Sequence, residues 1–394
     1  MLDLFSGAGG MAEGFLQSGF TIPFASDKSE QVAETYKNRH KQLGLITNYY
    51  CGDVSDLSNP EKLSSFLGDS LPKIDVICGG PPCQGFSLAG RRNPLDKRNQ
   101  LVQSYIKILA QVKPKYFVME NVLGILSAKF IEYNGIKQLY VNEKVVTVLK
   151  SEFAEIGYPN VEIKLLDASD FGVPQKRQRV IFLGTRHDVI KKLTHPEPHV
   201  KTKITSKDAI QDLANIALGS KAVKYENITN TAYQESSRNG RTKNANGIAV
   251  ATIILSNHET SKHSELVIER FTQLKAGENI KNMLSRLSDN QVNRLKTKKQ
   301  NCRKISPNDP SPTVLTLPDD LVHYEKNRIL TVREMARLQS FDDSFEFLGK
   351  RTTGGGRRKL ETPQYTLVGN AVPPLLAKAI ADEIMMNLKS GEQL

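Results

Sequence analysis

The chain has 394 residues, more than one ordinary hydrophobic core fills, so two domains are expected. With 39% hydrophobic residues, no apolar run of 18 and Met1 running straight into a motif, it predicts neither a membrane-spanning helix nor a signal peptide. Four cysteines without CxxC spacing argue against a zinc site, any other metal or a disulfide framework, and a net charge of +12 points to an anionic partner.

The first element is a strand ending in Asp3-Leu4-Phe5-Ser6, with only Met1 and Leu2 before it; either the strand is short or the chain begins upstream. Gly7-x-Gly9-x-x-Ala12 then opens a helix at the spacing of a nucleotide-binding loop, where glycines admit a ligand to the backbone and the helix start offers free N–H groups. Alone this signal is weak. It gains from Phe24 to Asp27, a second strand ending in an acid about twenty residues on, as a ribose-binding carboxylate requires. Asp53, in Cys51-Gly52-Asp53-Val54, follows the next half-unit and suits an adenine amino group or ring edge.

The apolar run Ile74 to Cys78 predicts a strand, and Gly79 to Ser87 follows as Gly-Gly-Pro-Pro-Cys-Gln-Gly-Phe-Ser. A lone cysteine is more often a small buried hydrophobe. Here a rigid diproline flanked by glycines holds Cys83 at a strand end, the presentation a nucleophile needs. Helical spacing covers Gln100 to Val112 and Glu143 to Ile156, and strands are predicted at Tyr116 to Met119, Val161 to Leu166 and Val180 to Leu183. Strands alternating with helices predict an α/β fold, a doubly wound and mostly parallel Rossmann-like sheet with active residues at the carboxyl ends of its strands.

From about residue 190 the sequence becomes irregular, polar and basic: Thr185 to Pro310 holds 22 Lys and Arg against 12 Asp and Glu. A solvated basic face is the ordinary meaning of such a bias, but Arg294, Lys296, Lys298, Lys299, Arg303 and Lys304 are dense enough to favour phosphate contact. Helical periodicity returns at Arg333 to Leu338 and Leu375 to Met386. The expected division is therefore 1–189 for a cofactor-binding catalytic domain, 190–325 for a smaller DNA-facing domain, and 326–394 for a segment returning to the first.

Six stretches in one order now carry a family likeness: Asp3 to Gly10, Gly80 to Ser87, Glu120-Asn121-Val122, Gln175 to Val180, Leu330 to Gln339, and Gly369 to Pro374. The chain resembles the C5-cytosine-specific DNA methyltransferases of bacterial restriction-modification systems. The resemblance implies transfer of a methyl group from S-adenosyl-L-methionine to carbon 5 of a flipped-out cytosine in a specific double-stranded DNA sequence. S-adenosyl-L-homocysteine is the product. Cytosine C5 is too weak a nucleophile to take the methyl unaided. Cys83 is therefore expected to attack C6, Glu120 to donate a proton at N3, and Arg179 to reach O2, with Arg177 holding the active-site loops.

The cofactor is expected against Phe5, Ser6, Gly7, Gly9, Gly10, Asp27, Lys28, Asp53, Val54, Pro82, Leu101, Asn370 and Val372. Lys28 stands where some relatives carry an aromatic that stacks on adenine. Gln84, Ser87, Arg91, Arg92 and Arg98 are expected to close on the DNA, and Lys296, Lys298, Lys299 and Arg303 to meet its backbone. A monomer in the bacterial cytoplasm, associated with the nucleoid and paired with a restriction endonuclease for the same site, completes the implied picture. The rival readings are a transfer-RNA cytosine methyltransferase, disfavoured by the large basic middle segment, and a non-catalytic DNA-binding relative, disfavoured by the presence of Cys83, Glu120 and Arg179. A nicotinamide dehydrogenase rests on the glycine spacing alone.

Overall fold

The computed structural model describes residues 1–68, 73–82, 100–226, 228–354, 357 and 361–391. Nine strands fall in the first half: β1 (Leu2–Leu4), β2 (Phe24–Asp27), β3 (Asn48–Cys51), β4 (Val76–Gly79), β5 (Tyr116–Asn121), β6 (Lys129–Asn134), β7 (Leu139–Lys144), β8 (Asn160–Asp167) and β9 (Gln178–Thr185). Between them lie α1 (Gly10–Gln17), α2 (Glu30–Gln42), α3 (Pro60–Leu67), α4 (Gln100–Val112) and α5 (Val145–Glu155). Seven strands form one sheet in the order β3-β2-β1-β4-β5-β9-β8, in which β9 alone runs against its neighbours. The mostly parallel, doubly wound sheet is as predicted.

Alternation along the central strands builds the two faces. Ile77, Phe117, Met119 and Phe182 point to one core with Val102, Ile106, Leu149 and Phe153 of α4 and α5. Val76, Cys78, Tyr116, Val118 and Ile181 point to the other, against Phe15 of α1 and Tyr36 of α2. The predicted helix at Glu143 to Ile156 starts later, because Glu143 and Lys144 close an antiparallel hairpin of β6 and β7. That hairpin has no apolar alternation to announce it.

The middle segment holds short elements: α6 (Ser206–Ile210), α7 (Ala232–Asn239), α8 (Glu265–Gln273), α9 (Ile280–Leu284), α10 (Asp289–Leu295), and the two-residue strands β10 (Arg303–Lys304) and β11 (Leu321–Val322). It is followed by α11 (Val332–Leu338), α12 (Gln364–Asn370) and α13 (Pro374–Gly391). The C-terminal segment divides its packing. Ile380 and Ile384 of α13 join the second core beside α1, whereas Met335 of α11 and Val368 of α12 share a core with Ile210, Tyr233, Ile305 and Val314 of the middle segment. A smaller cluster of Phe271, Met283, Leu295 and Cys302 is mostly internal to the middle segment.

Charge is buried here in compensated form. Arg337 of α11 reaches Asp212 at 2.8 Å and Asp343 at 2.6 Å, all three side chains without solvent exposure. Arg328 pairs with Glu334 at 2.7 Å. Burial alone would raise the Glu334 carboxyl, but the Arg328 guanidinium outweighs it and holds the group at about 2. Arg337–Asp212 joins segments distant in sequence and Arg328–Glu334 closes the start of α11, while Asp212 is also paired with Arg238 at 2.6 Å, so the Arg337 charges form a shared network.

His323 supplies the acid-sensitive point of this region. Its Nδ1 accepts from the backbone N–H of Glu325 and Lys326, both at 3.1 Å, and burial pushes its pKa down to about 4, against an opposing pull from Glu334. Below the ordinary histidine pKa of 6.5 the unfolded chain takes up the proton before the folded one, so stability is lost as pH falls from about 6.5 to 4. The gap is worth roughly 3 kcal/mol. His323→Asn presents an amide oxygen to the same two N–H groups without titrating. Thermal melts from pH 7 to 4.5 should therefore fall by several degrees less in this variant than in the wild type; equal pH slopes would refute the assignment.

Candidate active site

β5 ends in Glu120-Asn121, and the first residues of antiparallel β9 lie beside it, with Asn121 opposite Val180 and Glu120 opposite Ile181. This register brings Arg179 back over the carboxyl end of β5. Its Nε donates to Glu120 Oε1 at 2.6 Å, and both side chains are only 14% exposed. A near-buried acid and a near-buried guanidinium thus meet at the C-terminal rim of the sheet, where a doubly wound fold places its chemistry.

The loop after β4 arrives at the same place. A methyl group on Gly80 would sit 3.1 Å from Glu120 Oε2, and Asn121 Nδ2 donates to the Pro81 carbonyl at 3.1 Å. Asn121 Oδ1 in turn accepts from Val122 N–H, so this one amide ties the two loops together. Pro82 is half-buried at the end of this stretch. Cys83, Gln84, Ser87, Arg91, Arg92 and Arg98 lie outside the described residues.

Arg177 has a different task from Arg179. It is fully buried, with its guanidinium donating to the Val314 carbonyl at 2.9 Å and the Gly369 carbonyl at 2.7 Å. Burial, then Arg179, drives its pKa well below the usual arginine value. Both contacts are backbone, so Arg177 clamps the strand carrying Arg179 to the middle and C-terminal segments. Gln175 assists: it accepts from Val314 N–H at 2.8 Å and donates to Gln339 at 2.8 Å and to the Leu338 carbonyl at 3.1 Å. The stretch Gln175 to Val180 carries the family likeness, but the bonds that make Gln175 a hub appear only in the fold.

The glycine loop lies at the end of β1. Phe5, Gly7 and Gly9 all take left-handed backbone, with φ of 55°, 53° and 99°, and Gly9 caps α1 without a side-chain acceptor. For Phe5 this conformation carries strain, on the order of 1–3 kcal/mol, of the sort retained at binding loops. Gly7 N–H donates to Asp27 Oδ2 at 3.1 Å, joining the loop to the acid at the end of β2. Ser6 Oγ lies 3.1 Å from Tyr49 Oη, and the Tyr36 hydroxyl donates to Asp3, whose buried carboxyl is pushed up to about 8 by desolvation.

The remaining predicted cofactor residues differ in their settings. Val372 presses its carbonyl against Gly10 so closely that a Cβ there would overlap it, and Asn370 is exposed at the end of α12 just before it. Asp53 is exposed and accepts from Ser55 N–H at 2.9 Å, while Val54 is buried in the first core. Leu101 is half-buried in the first turn of α4, and Lys28 is exposed.

The basic cluster requires correction. Lys304 is buried and donates to the Phe271 carbonyl and Asn327; Lys299 is paired with Asp319, and Arg294 with Glu269 at 2.8 Å. Arg303 is half-buried in β10, whereas Arg294, Lys296 and Lys298 are exposed, Arg294 within its surface pair to Glu269. Composition counted these charges correctly but could not see their pairing.

The model of the C-5 cytosine-specific DNA methylase family matches residues 1–386. The chain is 36% identical to the type II methyltransferase M.DdeI of Desulfomicrobium norvegicum, over 98% of this chain and 88% of that protein. It is 33% identical to M.FnuDI of Fusobacterium nucleatum, over 100% and 96%. Among solved structures, a putative DNA modification methyltransferase from an Escherichia coli prophage superposes with a TM-score of 0.74 at 25% identity, covering 98% of this chain and 99% of that one.

Gly10→Ala should separate close packing from mere tolerance in this loop. Overlap with the Val372 carbonyl should cost about 1–3 kcal/mol in thermal or denaturant unfolding and weaken S-adenosylhomocysteine binding at least tenfold. Gly354→Ala, with open space around it, is the control and should leave both unchanged. Wild-type affinity in Gly10→Ala would show that the 371–372 backbone does not wall the site.

Proposed function

The chain belongs to the C-5 cytosine-specific DNA methylase family and is a DNA cytosine-5 methyltransferase; from that premise we propose that it works on a cytosine flipped out of the duplex, through a covalent bond between Cys83 and C6. The observation that carries this reading is the Glu120–Arg179 pair directly beneath Gly80 and Pro81, the two residues that lead to Cys83. A base inside the stack could not reach this rim, so flipping is part of the proposal.

The family's methyl donor is S-adenosylmethionine, and the glycine loop fits such a group. Left-handed backbone at Phe5, Gly7 and Gly9 and the side-chain-free start of α1 support binding of a polar ligand end; we assign Asp27 to a ribose and Asp53 to a purine amino group. Asn370 and Val372 would close the pocket from the C-terminal segment, with Ser6, Pro82 and Leu101 at its edges. When bound, the cofactor supplies an electrophilic methyl group to C5 and leaves as S-adenosylhomocysteine.

The residues of the chain do the rest. The Cys83 thiolate forms a bond to C6, and the C5–C6 electron pair is pushed into the ring as Glu120 transfers its proton to N3. Arg179 orients Glu120 and donates to O2 of the base. After C5 has gained the methyl, water removes the C5 proton, the C5–C6 double bond re-forms, the Cys83–C6 bond breaks, and N3 returns its proton to Glu120. Atoms and charge balance over the cycle.

We assign DNA reading to the middle segment, residues 190–325, with Lys296 and Lys298 on phosphates and the residues between Gln84 and Arg98 closing on the flipped nucleotide. Among the described residues no helix is long and apolar enough to cross a membrane. A restriction endonuclease for the same sequence is the partner that the type II relatives suggest.

Methyl transfer from labelled cofactor to plasmid DNA should be abolished by Cys83→Ser and reduced about 10²–10⁴-fold by Glu120→Gln, with cofactor affinity retained in both. Transfer RNA should remain unlabelled. Full activity of Cys83→Ser on DNA would overturn the mechanism; labelling of transfer RNA alone would overturn the substrate.

A further inference from the structure

Lys28 is exposed and offers no ring to a purine, and Asp53 lies on the turn that follows β3. That turn is braced by an aromatic residue. Tyr50 folds its ring back over the backbone of Gly52: a Cβ on Gly52 would lie 2.8–2.9 Å from Cε1, Cζ and Oη of the ring. Only glycine leaves this space. The Tyr50 hydroxyl then donates to Asp56 Oδ2 at 2.8 Å, and Asp56 is further held by Lys62 at 3.3 Å. Gly52 N–H is tied to the Asp27 carbonyl, and the Tyr50 ring meets Phe66 of α3 edge-on at 5.8 Å.

Asp53 sits between these fixed points, with Gly52 before it and Asp56 three residues after it. Its carboxylate is exposed and shaped into the turn by the bond from Ser55 N–H. Burial, then the bond to Asp56, pushes the Tyr50 hydroxyl up to about 12, so it remains a protonated donor throughout the working range. A ring clamped at both ends thereby sets where a neighbouring acceptor can point.

We propose that Tyr50 is a positioning residue that fixes the Asp53 carboxylate for recognition of the 6-amino group of the cofactor's purine. The inference rests on the reading of the Phe5 to Gly10 loop, Asp27 and Asp53 as the S-adenosylmethionine pocket. It makes Tyr50, Gly52 and Asp56 one unit, acting on cofactor selection and not on the chemical step.

Calorimetric binding of S-adenosylhomocysteine and of S-inosylhomocysteine, which carries an oxo group in place of the amino group, tests this on the full chain. The wild type should prefer the adenosyl ligand at least tenfold, the scale set by one buried polar mismatch. Tyr50→Phe keeps the ring and loses only the bond to Asp56. It should weaken the adenosyl ligand roughly fivefold while leaving the inosyl ligand within about twofold, so that most of the preference disappears. Gly52→Ala, which must displace the ring, should abolish the preference; should that variant fail to fold, Tyr50→Phe carries the test. Retained discrimination in Tyr50→Phe, or equal weakening of both ligands, would overturn the proposal while leaving the pocket reading intact. Failure of the wild type to bind S-adenosylhomocysteine at all would instead overturn the pocket reading itself.

Discussion

The ion pair between Arg179 and Glu120 is the contact around which the molecule is organised. It exists because β9 runs antiparallel beside β5, which returns the start of one strand to the end of the other. A fully parallel sheet would have carried Arg179 to the opposite rim. The reversed strand is thus the topological condition for a carboxyl and a guanidinium to share one nearly buried place. Asn121 and Gly80 add the β4 loop to that place, so three separate pieces of chain converge within hydrogen-bonding range.

Such convergence has to be held, and Arg177 holds it. Two residues before Arg179, its buried guanidinium spans the Val314 and Gly369 carbonyls, linking the sheet to the segment proposed to read DNA and to the C-terminal segment that packs on the glycine loop. A cation buried against backbone oxygens is an expensive device, since desolvation opposes it and, among the described residues, no carboxylate pairs with it directly. It joins three segments through one side chain, which makes rigid placement of Arg179 a physical consequence of folding. The compensated pairs of Arg337 and Arg328 extend the same logic into α11, which anchors the middle segment through Asp212 and Ala209.

Much of this was legible in the sequence, for definite reasons. Strands buried on both faces appear as continuous apolar runs, so β4, β5 and β9 were readable from Ile74 to Cys78, Tyr116 to Met119 and Val180 to Leu183. The motif order carried Glu120, Arg179 and the glycine loop together. What escaped was whatever depends on pairing across long separations. The β6–β7 hairpin has no amphipathic signature, Lys304 looks like any basic residue until its burial is known, and the motif that begins at Gln175 does not say which backbone that side chain holds. Tyr50 escaped for a different, local reason: its placement depends on the space left by Gly52, which a sequence states only as a missing side chain.

The central claim is that this rim delivers a thiolate from Cys83 to C6 of a cytosine made electrophilic by Glu120 and Arg179. Incubating the enzyme and its methyl donor with duplexes of varied sequence carrying 5-fluorocytosine tests it most directly, because fluorine at C5 cannot leave as a proton does and the final elimination is blocked. Intact-mass and peptide measurements should then find the methylated nucleotide covalently attached to the peptide containing Cys83. Normal turnover on unmodified DNA with no adduct on the fluorinated duplex, or an adduct on another residue, would contradict the account.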